Sequence, residues 1–154
     1  MQITSPAFKH QDAIPALYTC EGKDVSPPLS WQGVPEGALS LVLIVDDPDA
    51  PDPASPRMTW VHWLLSDLPA STPGLAEAVQ QLPSGTVPGV TDFKRTSYGG
   101  PCPPVGRHRY FFKLYALDKK LALAKPSKAA IEAAMKGHVL AHAELIGTYE
   151  KQKR

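Results

Sequence analysis

No surplus of either charge runs through this chain: sixteen lysines and arginines against fifteen aspartates and glutamates leave a formal charge of +1. That balance excludes a broad field for nucleic acid or an anionic membrane surface, so any recognition of anions has to be local. Long apolar runs are missing as well, and the longest aliphatic stretch, Leu41 to Val45, is far too short to cross a bilayer. Cysteine is nearly absent, with Cys20 and Cys102 alone, and the opening MQITSPAFKH has neither a hydrophobic signal core nor a cleavage-site pattern. Together these predict a cytoplasmic protein with no integral membrane association. Both thiols are expected to be reduced there, while the even count leaves a disulfide open. Two catalytic signatures are also lacking. There is no G-x-S-x-G elbow of a serine hydrolase, and Val139 follows His138 where the zinc motif H-E-x-x-H needs glutamate.

What the chain does have is proline, seventeen residues of it, about twice the usual share. With an apolar content of 43%, that composition predicts an ordered, loop-rich single domain over 1–154 rather than a disordered chain. Strand patterns dominate the first two thirds. LSLVLIVDD, from Leu39 to Asp47, is an apolar β-branched run that ends in acid and proline, as a buried strand does on leaving a sheet. In MTWVHWLLSDL, Trp60, His62 and Leu64 are expected on one face and Val61, Trp63 and Leu65 on the other. HRYFFKLYALD gives the clearest alternation, His108, Tyr110, Phe112 and Leu114 against Arg109, Phe111, Lys113 and Tyr115. Between these strands, Ser66 to Gly106 is mostly irregular, and long loops of this kind build binding sites. A helix is predicted after Pro126, with Ser127 as N-cap, Ile131, Ala134 and Met135 on one face and Gly137 as the stop. A second helix is predicted over HVLAHAELIGTYEKQKR, burying Val139, Leu140, Ala143 and Ile146 ahead of a basic tail.

DPDAPDPASPRMTWVH (47–62) and GGPCPPVGRHRY (99–110) bring two aspartates, two histidines and a tyrosine to strand ends beside proline-stiffened loops. That arrangement predicts a small, rigid pocket of mixed charge. An imidazole beside a carboxylate is held protonated, and two such rings can grip an oxyanion. If Asp47 accepts from one nitrogen of His62 or His108, the other N–H is left for the ligand, and phosphate-like ligands should bind more weakly as pH rises through the imidazole titration near about 6.5. Arg109, on the opposite strand face, is expected to pair with a loop carboxylate.

YTCEGKDVSPPLSW at 18–31, DPDAP at 47–51, WVHWLL at 60–65, GGPCPPVGRHRYFFKLYALD at 99–118 and GHVLAHAELIGTYEK at 137–151 together resemble the phosphatidylethanolamine-binding protein family, in its bacterial Raf-kinase-inhibitor-like branch. The resemblance spans nearly the whole chain. It implies a mainly β (α+β) fold, an antiparallel sandwich of two sheets with short peripheral and C-terminal helices. It also implies a pocket at one end that takes phosphate-like anions or phosphoethanolamine-type head groups, formed here by Asp47, Asp49, Trp60, His62, Pro101, Cys102, His108 and Tyr110. A protein partner of kinase type and a homodimer are further implications; no catalytic residue, metal or cofactor is assigned. One departure from the family is the presence of Lys94 and Ser97 in TDFKRTSYGG, where relatives commonly place glycine, which predicts a different loop path with Lys94 or Arg95 near the mouth.

Three other chemistries stand beside that reading. Asp47-Pro-Asp49 after a hydrophobic strand imitates the nucleophile loop of a phosphatase, and a small phosphatase or esterase would use Asp47 with His62 or His108. A zinc site of His62, His108 and Asp47 is chemically allowable. His138 and His142 have the spacing of a metal pair on a helix, with an exposed helix face as their plainer reading.

Overall fold

In the computed structural model, which describes residues 1–152, the chain passes through β1 (Gln2–Thr4), a 3-10 turn (Ala16–Tyr18), β2 (Leu29–Gln32), β3 (Ser40–Ala50), β4 (Met58–Pro69), β5 (Gly74–Leu75), β6 (Val87–Pro88), β7 (Arg107–Leu117), α1 (Lys128–Met135) and β8 (Val139–Glu150). The strands form two antiparallel sheets, β1-β2-β5 and β6-β4-β3-β7-β8, as the mainly β expectation requires. β3 is buried at almost every position, and its Leu41–Val45 run is wholly apolar, because both of its faces are covered. Leu41, Leu43 and Val45 meet Ile3, Leu29 and Trp31 of the small sheet. Val42 and Ile44 pack on the other side with Ile131 and Met135 of α1.

α1 forms where Ser127 predicts it, the Ser127 hydroxyl accepting from the Ala130 N–H at 3.1 Å, and Gly137 at φ +83° ends the turn that follows. The fully buried Asp46 fastens this helix to the sheet, taking Lys113 Nζ at 3.1 Å and Lys128 Nζ at 2.9 Å on one carboxylate oxygen.

The alternation expected along β4 breaks at His62. Val45 pairs with Trp63 but Asp46 pairs with Val61, so His62 is an extra residue with no partner on β3. Such a β-bulge shifts the side chains that follow to the other face, here as far as the second irregularity between Leu65 and Leu68. Trp63 and Leu65 therefore enter the core between the sheets, while Val61 joins Leu64 in the cluster under α1, instead of sharing a face with Trp63.

The predicted C-terminal helix is instead strand β8, which pairs with β7 from Arg107↔Glu150 to Leu117↔Val139. The helical spacing of Val139, Leu140, Ala143 and Ile146 coexists with a period of two, and tertiary pairing selects the latter. Ala141, Ala143, Leu145 and Tyr149 then pack against the inter-sheet core. Gly147 sits where an added Cβ would come within 2.5 Å of Ile14. His138 and His142 accordingly share no helix: His142 lies on β8 beside Tyr115, and His138 pairs with Asp118 at 2.8 Å. Of the basic tail, Lys153 and Arg154 lie outside the described residues.

Candidate functional site

β3 leaves the large sheet where β4 and β7 enter it, so Asp47, His62, His108 and Tyr110 reach the same end of the sandwich. They meet around a cavity of about 290 Å³. Asp47 is 3% exposed and His108 1%, and the pair is joined by His108 Nδ1 donating to Asp47 Oδ2 at 2.6 Å. The second Asp47 oxygen accepts the Asp49 N–H at 2.7 Å. Burial raises the Asp47 carboxyl above its ordinary range, and the hydrogen bond from His108 acts against that rise. His108 Nε2 faces the carbonyls of Val105 at 2.8 Å and Pro51 at 3.1 Å. With acceptors at both nitrogens the ring is a brace between three chain segments. It has no N–H left for a ligand, contrary to the sequence expectation.

His62 has the free nitrogen. Its Nδ1 donates to Gly99 O at 2.6 Å, which assigns the proton to Nδ1 and leaves Nε2 as a lone pair with no partner among the described residues. The ring lies edge-on to Phe93 at 5.4 Å and to Tyr110 at 5.2 Å. Burial in this aromatic box pushes its pKa down to about 4, so at neutral pH His62 presents an uncharged acceptor to the cavity where a cationic donor was expected.

This has a consequence for stability. The folded ring titrates near 4 and the unfolded one near about 6.5. Between those values the unfolded chain binds the extra proton. Stability is complete above the unfolded value and is lost as pH falls through the window, by up to about 3 kcal/mol. Urea unfolding of wild type and His62→Asn between pH 7 and pH 4 measures it: the wild type should lose that increment and the variant should not.

Asp49 lies outside the cavity wall. It serves Arg109, the carboxylate partner expected for that side chain but left unnamed by the sequence, through a fork of Nε and Nη2, each at 2.9 Å, with the Arg109 N–H adding a third contact at 2.9 Å. The guanidinium holds the Asp49 carboxyl below its ordinary range. Pro101 does not border the cavity either; its carbonyl accepts the Cys20 N–H at 3.1 Å. Asp47, Trp60, His62, Cys102, His108 and Tyr110 do border the cavity, as do Met58 and Phe93, which sequence reasoning missed. Phe93 is brought in by the Asp92 carboxylate, which accepts the Val61 N–H at 2.7 Å and so hangs the 91–95 loop on β4. An added Cβ at Gly99 would come within 2.3 Å of the Phe93 ring, so only glycine fits there.

The loop keeps a glycine-like path in spite of its substitution, because Lys94 adopts φ +63°. A left-handed lysine costs energy that glycine avoids. Lys94→Gly is therefore expected to raise stability by roughly 0.5–1 kcal/mol, measured as an upward shift in the urea midpoint. Arg95 stands over the Phe93 ring, 5.0 Å from its centre, behind the cavity wall.

The two cysteines form a disulfide, Cys20–Cys102, with Cα atoms 5.4 Å apart, against the expectation of reduced thiols. They meet because the loop before β7 is laid along the 3-10 turn by non-covalent contacts. Tyr98 Oη donates to Tyr18 O at 2.8 Å, and the Gly100 N–H donates to Asp24 Oδ1 at 2.7 Å. Among the described residues no group of three or more His, Cys, Asp or Glu is placed to hold a metal ion. No helix there is long and apolar enough to cross a membrane.

The model of the phosphatidylethanolamine-binding protein family matches residues 4–150. A "UPF0098 protein" of Methanothermobacter thermautotrophicus is 48% identical over 98% of this chain and 99% of its own length, and one of Aquifex aeolicus is 45% identical over 98% and 89%. The crystal structure of a phosphatidylethanolamine-binding protein homolog of Chlamydia trachomatis superimposes with a TM-score of 0.90 at 43% identity, over 98% of this chain and 97% of that one. Escherichia coli YbcL, described as a member of the mammalian PEBP family, gives 0.87 at 34% identity, over 98% of both chains.

Proposed function

This chain belongs to the phosphatidylethanolamine-binding protein family, and we propose that its end cavity binds small phosphate-like acids, phosphoethanolamine-type head groups among them, without turning them over. The observation that carries this reading is the unpartnered His62 Nε2, a neutral acceptor in a wall otherwise built from groups such as Met58, Trp60, Phe93 and Pro103. An oxyanion brought against a lone pair is repelled unless a proton lies between them. The ligand therefore either carries that proton, as a phosphomonoester monoanion does, or draws one from solvent onto His62. Its organic remainder lies against the aromatic and proline walls.

Asp47 supports binding over hydrolysis, because both of its carboxylate oxygens are occupied, one by His108 and one by the Asp49 N–H. Each accepted hydrogen bond draws charge from the oxygen that carries it and weakens that oxygen as a nucleophile toward phosphorus. A cytoplasmic address agrees with this reading where cellular thiols open and close the Cys20–Cys102 bond.

His62→Asn tests the binding role, since its amide N–H can still serve Gly99 O while Nε2 is removed. Calorimetric affinity for phosphate and phosphoethanolamine should fall by about tenfold or more, the worth of one hydrogen bond to a charged ligand. Unchanged affinity would remove His62 from the site. Hydrolysis of phenyl phosphate by the wild type, abolished in Asp47→Ala, would replace the binding reading with an enzymatic one.

A further inference from the structure

The disulfide stands on the wall of the same cavity. Cys102 borders the cavity beside Pro103 and Pro104, whereas Cys20 does not, and both residues are exposed. Three contacts bracket the bond without depending on it: Tyr98 Oη to Tyr18 O, Gly100 N–H to Asp24 Oδ1, and Cys20 N–H to Pro101 O. The two segments thus have their own reasons to stay together when the sulfurs part. Thiol–disulfide exchange is decided by which sulfur an incoming thiolate can reach. From inside the cavity, the half of the bond within reach is Cys102, since Cys20 does not line it.

We propose that Cys102 is an S-thiolation site, at which a low-molecular-weight thiol enters the cavity and exchanges with the Cys20–Cys102 disulfide. The thiol reacts as its thiolate, having given its proton to water. Its sulfur bonds to Cys102 Sγ, the bond between the two cysteines breaks, and Cys20 leaves as a thiolate that takes a proton from water. One disulfide replaces another, so no external oxidant is needed. The group now attached to Cys102 lies in the cavity and displaces whatever acid occupied it. Cys20, still held alongside by the three contacts, reverses the step by attacking Cys102 Sγ and expelling the thiol. Displacement of an acid rests on the binding reading above; the exchange itself does not.

The test uses the oxidised full-length chain and 2-mercaptoethanol, quenched with acid at early times and mapped by peptide mass spectrometry. Adduct at Cys102 should exceed adduct at Cys20 by about tenfold; equal labelling, or a preference for Cys20, overturns the proposal. In a second arm, Cys20→Ser is treated with hydroxyethyl disulfide, which should label Cys102 stably. The labelled protein should lose phosphate affinity that the unlabelled variant retains, and a labelled protein that still binds phosphate as well overturns the displacement. If oxidised wild type binds no phosphate at all, the acid-binding reading fails by itself, and the adduct mapping still decides the exchange.

Discussion

Reduction of the Cys20–Cys102 bond is expected to lower the free energy of unfolding by about 4 kcal/mol, and the melting temperature by roughly 10 °C. The bond closes a loop with a sequence separation of 82 residues, and the loss of chain entropy in the unfolded state grows with the logarithm of that length. The fold should survive the loss. The loop before β7 keeps its contacts to Tyr18 and Asp24, and the core between the sheets contains neither cysteine. Thermal unfolding with and without a phosphine reductant, compared with the Cys20→Ser, Cys102→Ser double variant, measures the effect. A shift equivalent to less than about 1 kcal/mol would mean that the cross-link constrains the unfolded chain very little.

Asp47→Ala should cost a similar amount for a different reason. It leaves His108 Nδ1, 1% exposed with its residue, facing a void, and it strips the Asp49 N–H of its acceptor. Removing one partner of a buried, hydrogen-bonded pair costs about 3–5 kcal/mol, because the remaining partner has lost water and gains nothing in its place. The contrast is Arg107→Ala. Arg107 meets Glu150 at 3.6 Å with both side chains about half exposed, and its removal should cost less than about 1 kcal/mol. Chemical unfolding of the two variants side by side separates these cases. Comparable small losses would show that the Asp47–His108 contact does not hold the cavity floor.

Much of this architecture is legible in residue order. The β-branched run of β3, the alternation of β7 and the Ser127–Gly137 punctuation of α1 each name their element because local pattern and tertiary surroundings agree. β8 is not legible in that way, since its apolar spacing suits a helix as well as a strand. What decides it is the long free edge of β7, which no local window contains. The site divides similarly. Motif residues such as Asp47, His62 and His108 can be picked out, but their roles depend on their surroundings. Both histidines are buried: His62 binds a carbonyl through one nitrogen and loses its charge, whereas His108 is placed between a carboxylate and two carbonyls. Phe93 stays hidden because its approach depends on the pair of hydrogen bonds between Asp92 and Val61, 31 residues apart in the chain. The extra residue at His62 likewise leaves no trace in an alternating pattern, yet it is the bulge that separates Val61 from Trp63.

The pH dependence of binding for two anions tests the neutral acceptor most directly. Sulfate carries no proton near neutrality, so its binding has to protonate His62; its affinity should fall tenfold per pH unit from about pH 5 to pH 7, with one proton taken up per sulfate in calorimetry across buffers of different ionisation enthalpy. A phosphomonoester brings its own proton below its second ionisation near about pH 6, so its affinity should stay level from about pH 5 to 6 and decline above. Sulfate binding of equal strength at pH 5 and pH 7, without proton uptake, would contradict the account.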